Sequence, residues 1–172
     1  MASVLVAYAT KYGSTQEVAG VVATTLAEQG VEADLRPAHD VASLDGYSAV
    51  VVGAALYNHR WHHDAVRFIS QHRTALSRVP VAIFAVGPVN DDPQEFDSAR
   101  EQLDRILSRW EWLSPASLAV FGGRFDPARL RFPGAARVLA KVPATDAVDP
   151  PAISAWAHSL PEALALRQPV VR

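Results

Sequence analysis

The sequence predicts an α/β fold, a doubly wound sheet of five parallel strands with helices on both faces. Three observations predict it. Short continuous apolar runs alternate with longer helix-period segments, the pattern of strands buried on both faces between crossover helices. The chain has 172 residues, 49% of them hydrophobic, which suits one globular domain with a sizeable core. No internal repeat or low-complexity linker divides it, so residues 1–172 read as a single domain.

The elements follow in order. The first run, SVLVAY, is continuous and β-branched, as a buried strand is. From Ser14 to Gln29 the apolar residues Val18, Val22 and Leu26 recur four apart, with Ala19 and Ala23 beside them, and Gly30 stops this helix. VEADLRP alternates and halts at Pro37, which marks an edge strand. YSAVVVGAA is a central strand, followed by a second helix from about His62 to Leu76 and a further buried strand, VPVAIFAVG. A third helix from about Pro93 to Trp112 places Phe96, Ala99, Leu103, Ile106 and Trp110 on one face. ASLAVFGG is the fifth strand. The last helix starts near Pro151 with Ile153, Trp156 and Leu160 inward, and Pro161 should kink or restart it. An irregular insertion, about residues 123–150, separates the fifth strand from that helix. The simplest strand order is 2-1-3-4-5, which opens a ligand crevice beyond the carboxyl ends of strands one and three.

Composition excludes several functions. With no cysteine there is no thiol catalysis, disulfide or thiolate metal site. A net charge of −2, with no broad basic face, argues against nucleic acid as a partner. The apolar run Val4 to Ala9 is shorter than a signal-peptide core, and no segment approaches the roughly 20 apolar residues that span a bilayer. A cytoplasmic protein is expected.

The segment YATKYGSTQEVAG lies at the predicted crevice. Thr10, Ser14 and Thr15 offer hydroxyls there, Gly13 permits a tight turn, and the following helix directs its free amides and positive dipole end at the same place. Together these hold a phosphate without an arginine clamp, and Lys11 is available but not required. The loop lacks the second glycine, Lys and Ser/Thr of a P-loop, and it lacks G-x-G-x-x-G. A phospho-receiver domain needs acidic residues after the first strand and at the end of the third. Thr10 to Ser14 and Gly53 to Leu56 stand there instead. A capped turn without ligand is the remaining alternative.

VLVAYATKYGSTQEVA resembles the flavodoxin signature, in which this loop holds the phosphate of FMN. GAALYNHRWHHDAVRFISQH and GGRFDPARLRFPGAARVLAKV are similar to the third-strand loop with its helix, and to the long insertion, of the menaquinone-dependent protoporphyrinogen IX dehydrogenases. The segment PATDAVDP departs from the small and polar residues of that branch, and the chain lacks the strong acidity of many electron-shuttle flavodoxins. The resemblance implies a flavodoxin-like fold binding FMN. Phosphate contacts would come from Thr10, Lys11, Tyr12, Gly13, Ser14 and Thr15. The flavin ring would lie between Ala55, Leu56, Tyr57 and Asn58 on one side and Val86, Gly87, Pro88, Val89 and Asn90 on the other, with Tyr57 stacking. The implied activity, in heme biosynthesis, carries electrons from a reduced tetrapyrrole through FMN to a quinone. The alternatives are an electron carrier that docks to redox proteins, or a flavodoxin-fold protein whose flavin pocket has decayed or changed.

Two further clusters bear on the substrate. NHRWHH holds His59, His62 and His63, but adjacent residues diverge on a helix and no fourth ligand stands nearby, so no metal is expected. Arg60 is instead a candidate partner for a propionate and His62 a candidate proton shuttle, on a helix start where Trp61 covers the core. The first part of the insertion, up to Lys141, carries Arg124, Arg129, Arg131, Arg137 and Lys141 against one acid, Asp126, interspersed with apolar residues. Such a mixture suits an anionic membrane surface, here the inner face of the membrane, or an acidic substrate or partner protein. Solvated arginines on an ordinary packed excursion are the plain alternative.

Overall fold

The computed structural model describes residues 2–129 and 142–166. In chain order its elements are β1 (Ser3–Ala9), α1 (Ser14–Glu28), β2 (Glu32–Pro37), β3 (Ala49–Tyr57), β4 (Arg60–Trp61), α2 (His63–Gln71), α3 (Arg73–Leu76), β5 (Val81–Val86), α4 (Pro93–Leu107), β6 (Ser117–Phe121), β7 (Arg124–Phe125), β8 (Thr145–Asp146) and α5 (Pro150–Ala163). The parallel strands run in the order β2-β1-β3-β5-β6. With the two-residue β4 set aside, this is the expected 2-1-3-4-5. β4 turns back antiparallel on the end of β3, and β7 pairs with β8 in a small separate ribbon.

Each central strand divides its side chains between two cores. Val4 and Val6 of β1 join Val18, Val22 and Leu26 of α1 and Ile153, Ala157 and Leu160 of α5. Leu5 and Ala7, one residue out of phase, join Phe68 and Ile69 of α2 and Leu103 and Ile106 of α4. The two-residue period of a strand explains why the runs are apolar at every position. β2 stands at the edge, partly exposed along its length, and ends at Pro37 as its sequence requires.

Three local expectations are corrected. The third helix stops at Leu107, not Trp112. Trp110 and Leu113 then sit in successive turns, their amides bonded to the carbonyls of Leu107 and Trp110, as the chain returns to β6. The second helix divides at His72, whose φ of −103° and ψ of 22° leave the helical region. α5 runs unbroken through Pro161. A proline there deprives the Ala157 carbonyl of its helical donor, and Gln29 Nε2, 3.5 Å away, takes that place.

Gly53 pairs in register with Phe84, whose ring lies across it and packs against Phe121 and Trp156. A Cβ on Gly53 would stand 1.8 Å from Phe84 Cζ. Gly53→Ala should therefore destabilise the fold by about 1–3 kcal/mol through overpacking. Urea unfolding checks this, and Phe84→Leu in the same chain should restore part of the loss.

Candidate functional site: a cavity at the ends of β1 and β3

A cavity of about 660 Å³ opens at the carboxyl ends of the central strands, a size suited to a cofactor. Lys11, Tyr12 and Ser14, from the β1–α1 loop, form one wall. Gly13 occupies the N-cap of α1 at φ 94° and ψ −18°, a left-handed conformation that glycine takes without cost. Among the described residues no side chain caps this helix. Its first amides, which lack intrahelical acceptors, are thus left to the loop and to whatever binds there. Thr10 stands behind the wall: its Oγ1 accepts from the Gly13 amide at 2.9 Å and pins the turn. Thr15 is 1% exposed, and its Oγ1 has no hydrogen-bond partner among the described residues. A buried hydroxyl left unsatisfied costs about 1–3 kcal/mol. The loop therefore fits a phosphate, which would meet free amides, the Ser14 hydroxyl and a positive helix end.

The end of β3 and the β4 hairpin form the second wall. Ala55, Leu56 and Tyr57 line the cavity, as does Asn58. Asn58 and His59 have φ of 48° and 62°, the pair of left-handed residues that a two-residue hairpin turn requires. Sequence reading missed this hairpin, although an asparagine between β-branched or aromatic flanks is its usual first residue. Trp61 is buried beneath it and donates its indole N–H to the Ala54 carbonyl at 3.2 Å, so it covers the core as expected. Tyr57, the expected stacking residue, is 57% exposed, and Lys11 Nζ lies over both its ring and that of Tyr12. Arg60 also faces the cavity.

His62 precedes α2 in an extended conformation and caps it, with Nδ1 accepting from the Asp64 amide at 3.2 Å. Being outside the helix, it does not diverge from His63. The two rings stack with centroids 4.6 Å apart. Asp64 also lies 3.0 Å from His63 Nε2 and 3.5 Å from His39 Nδ1. The ligand atoms of His62, His63 and Asp64 lie within 4.8 Å of one another, closer than the helical spacing implied. Burial, foremost, pushes the His62 imidazole below its ordinary range. The neighbouring His63, Lys11 and His39 act in the same sense, against Asp64.

β5 and the segment after β6 complete the enclosure. Val86, Gly87 and Val89 line it. Pro88 and Asn90 turn elsewhere: the Pro88 carbonyl accepts from the Gly123 amide at 2.7 Å, and the Asn90 side chain donates to Glu95 at 3.2 Å. Gly123, Phe125 and Asp126 line the cavity and were not foreseen. The FGG after the fifth strand was their only signal. Arg124 is partly exposed. It bridges Glu17, at 2.9 Å, and Asp146, at 3.0 Å, which hold it firmly protonated. The Val148 amide and then Arg124 keep the Asp146 carboxyl below its ordinary range. Arg129 bends back to the β1–α1 loop. Arg131, Arg137 and Lys141 lie outside the described residues. Among the described residues no helix is long and apolar enough to cross a membrane.

Comparisons with known proteins agree with this geometry. A protein-family model described as "Flavodoxin domain" matches residues 5–138. Protoporphyrinogen IX dehydrogenase [quinone] of Escherichia coli (strain K12) is 30% identical over 135 residues, which span 74% of this chain and 72% of that protein. Among solved structures, a short-chain flavodoxin associated with a non-canonical PDU bacterial microcompartment superposes with a TM-score of 0.57 at 16% identity, covering 96% of this chain and 97% of that one. A Streptococcus pneumonia TIGR4 flavodoxin gives 0.57 at 17% identity, covering 95% and 98%. The solved structures speak for the fold and the family model for descent: the chain belongs to the flavodoxin domain family, whose cofactor is FMN.

Proposed function

We propose that this protein is an FMN-dependent oxidoreductase of the protoporphyrinogen dehydrogenase kind, drawing electrons from a reduced tetrapyrrole and delivering them to a quinone. The observation that carries the cofactor site is the glycine-turned start of α1, where Ser14 lines an apolar cavity shared with Leu56, Tyr57, Val86 and Val89 and the buried Thr15 hydroxyl beside it has no partner among the described residues. The 30% identical E. coli relative supports the substrate class.

Bound FMN supplies the electron exchange between an organic donor and a quinone acceptor. The chain does the rest. Gly13, Ser14 and Thr15 present amides and hydroxyls to the phosphate. Leu56 and Val86 keep water from the ring, and Tyr57, on its exposed hairpin, gives an aromatic face to stack on. Arg60 stands at the rim as partner for a carboxylate of the substrate. His62, neutral at physiological pH with Nδ1 held by the Asp64 amide, keeps Nε2 as its proton-carrying position.

The absorbance spectrum of the purified protein is the first test: flavin bands are expected, and a colourless protein that ignores added FMN overturns the reading. Oxidation of protoporphyrinogen, accelerated by quinone, then separates an enzyme from a carrier that needs a protein partner.

Thr15→Val removes an unsatisfied buried hydroxyl at nearly constant shape. Stability of the flavin-free chain should rise by about 1 kcal/mol, while FMN affinity falls. Thermal unfolding and flavin titration read the two opposite signs.

His62 supplies a pH test. Its folded pKa is lowered, so its contribution to stability is complete above the ordinary value of about 6.5 and is lost as pH falls through the lower folded value. Between pH 7.5 and pH 5, wild type should lose more unfolding free energy than His62→Asn, which still caps the helix. Denaturant midpoints at the two pH values measure the difference.

A further inference from the structure

In the described part of the segment after β6, Arg124 and Arg129 reach back to the start of α1 and the β1–α1 loop. Gly123 makes this possible, since a Cβ there would stand 2.9 Å from Val86 Cγ1 and 3.4 Å from Ser14 Oγ. The chain thus passes directly against the β1–α1 loop. Arg124 then neutralises Glu17, the acid in the first turn of α1, which would otherwise repel an anion at that helix start. Both of its ends are engaged, by Glu17 and Asp146, so it acts through its field alone.

Arg129 is placed differently. Its Nη1 donates to the Tyr12 carbonyl at 3.3 Å and lies 3.7 Å from where a Cβ on Gly13 would stand. Its ion pair with Asp126 is loose, 3.7 Å, and its side chain is 57% exposed beside the cavity that both residues line. A guanidinium has five N–H donors in a planar fork, and among the described residues these two partners leave donors over. A phosphate on the loop would lie next to them.

We propose that Arg129 is a phosphate-selecting clasp, through which the segment after β6 closes on the phosphate end of FMN. This deepens, and rests on, the FMN reading of the loop. The hydroxyl-and-amide cradle holds the phosphate through neutral donors, and Arg129 adds a charge that riboflavin, which has no phosphate, does not meet. The arm therefore sets selectivity for the phosphorylated flavin. It also couples filling of the cofactor site to the position of the cavity's outer wall, Phe125 and Asp126.

The test is a fluorescence-quenching titration of the full chain, freed of flavin, with FMN and with riboflavin. Wild type is compared with Arg129→Lys and Arg129→Ala. The FMN dissociation constant of Arg129→Ala should rise about tenfold or more, as for loss of a charge-assisted hydrogen bond. The riboflavin constant should stay unchanged, which also shows that the variant folds. Arg129→Lys should fall between, because it keeps the charge and loses the fork. An unchanged FMN constant in Arg129→Ala, or an equal loss for both flavins, overturns the clasp while leaving the FMN site standing. A wild type that binds neither flavin, or binds both equally, overturns the FMN reading of the loop and the clasp with it.

Discussion

The rest of the structure depends on β1 lying between β2 and β3, paired parallel to both. From the end of β1 the chain leaves to one face through α1. From the end of β3 it leaves to the other through β4 and α2. Two neighbouring strands whose continuations part in opposite directions cannot close the gap at their carboxyl ends. The cavity is that gap. Its walls are the two departing loops, and what binds there is decided by the few residues those loops carry.

Close backbone approaches then shape the gap. Gly53 accommodates the Phe84 ring within the sheet, which seats the Phe84–Phe121–Trp156 cluster beneath α5. At the end of β6, Gly122 lies so near the chain after β8 that a Cβ would stand 2.0 Å from the Ala147 carbonyl oxygen. Its neighbour Gly123 does the same against Val86. One pair of small residues thus brings the insertion's two ends together and lays its first turn on the cofactor wall. Side chains at any of these positions would push apart layers that hold the site.

Electrostatics at the cavity follow from that packing. A first-turn acid such as Glu17 favours its own helix but disfavours a bound anion. Arg124 removes the conflict by bonding to it across the gap, and Asp146 holds Arg124 in place. Lys11 adds its charge over two aromatic rings, Tyr12 and Tyr57. Burial foremost, with the Lys11 charge among the lesser causes, lowers the His62 imidazole below its ordinary range. Positive side chains thus stand on both walls of the cavity, Lys11 on the β1–α1 loop and Arg60 on the β4 hairpin, which suits a phosphorylated cofactor.

The layered sheet, its strand order and the glycine-turned loop before α1 are each written in local signals. Apolar runs mark strands buried on both faces, four-residue spacings mark helices, and Gly13 with Ser14 and Thr15 marks a turn before a helix. Tertiary structure decided what depends on distant partners. His62 joins His63 and Asp64 because it caps α2 and does not belong to it. Pro161 stands inside its helix, and the Ala157 carbonyl that it leaves without a helical donor meets Gln29 from α1's end. Pro88 and Asn90 leave the cavity because Gly123 and Glu95 take their polar groups. Arg124 and Arg129 read as outward charges in a one-dimensional pattern. They are instead drawn to the start of α1 and the ribbon strand β8, because Glu17, Tyr12 and Asp146, distant along the chain, offer acceptors that only folding brings within reach.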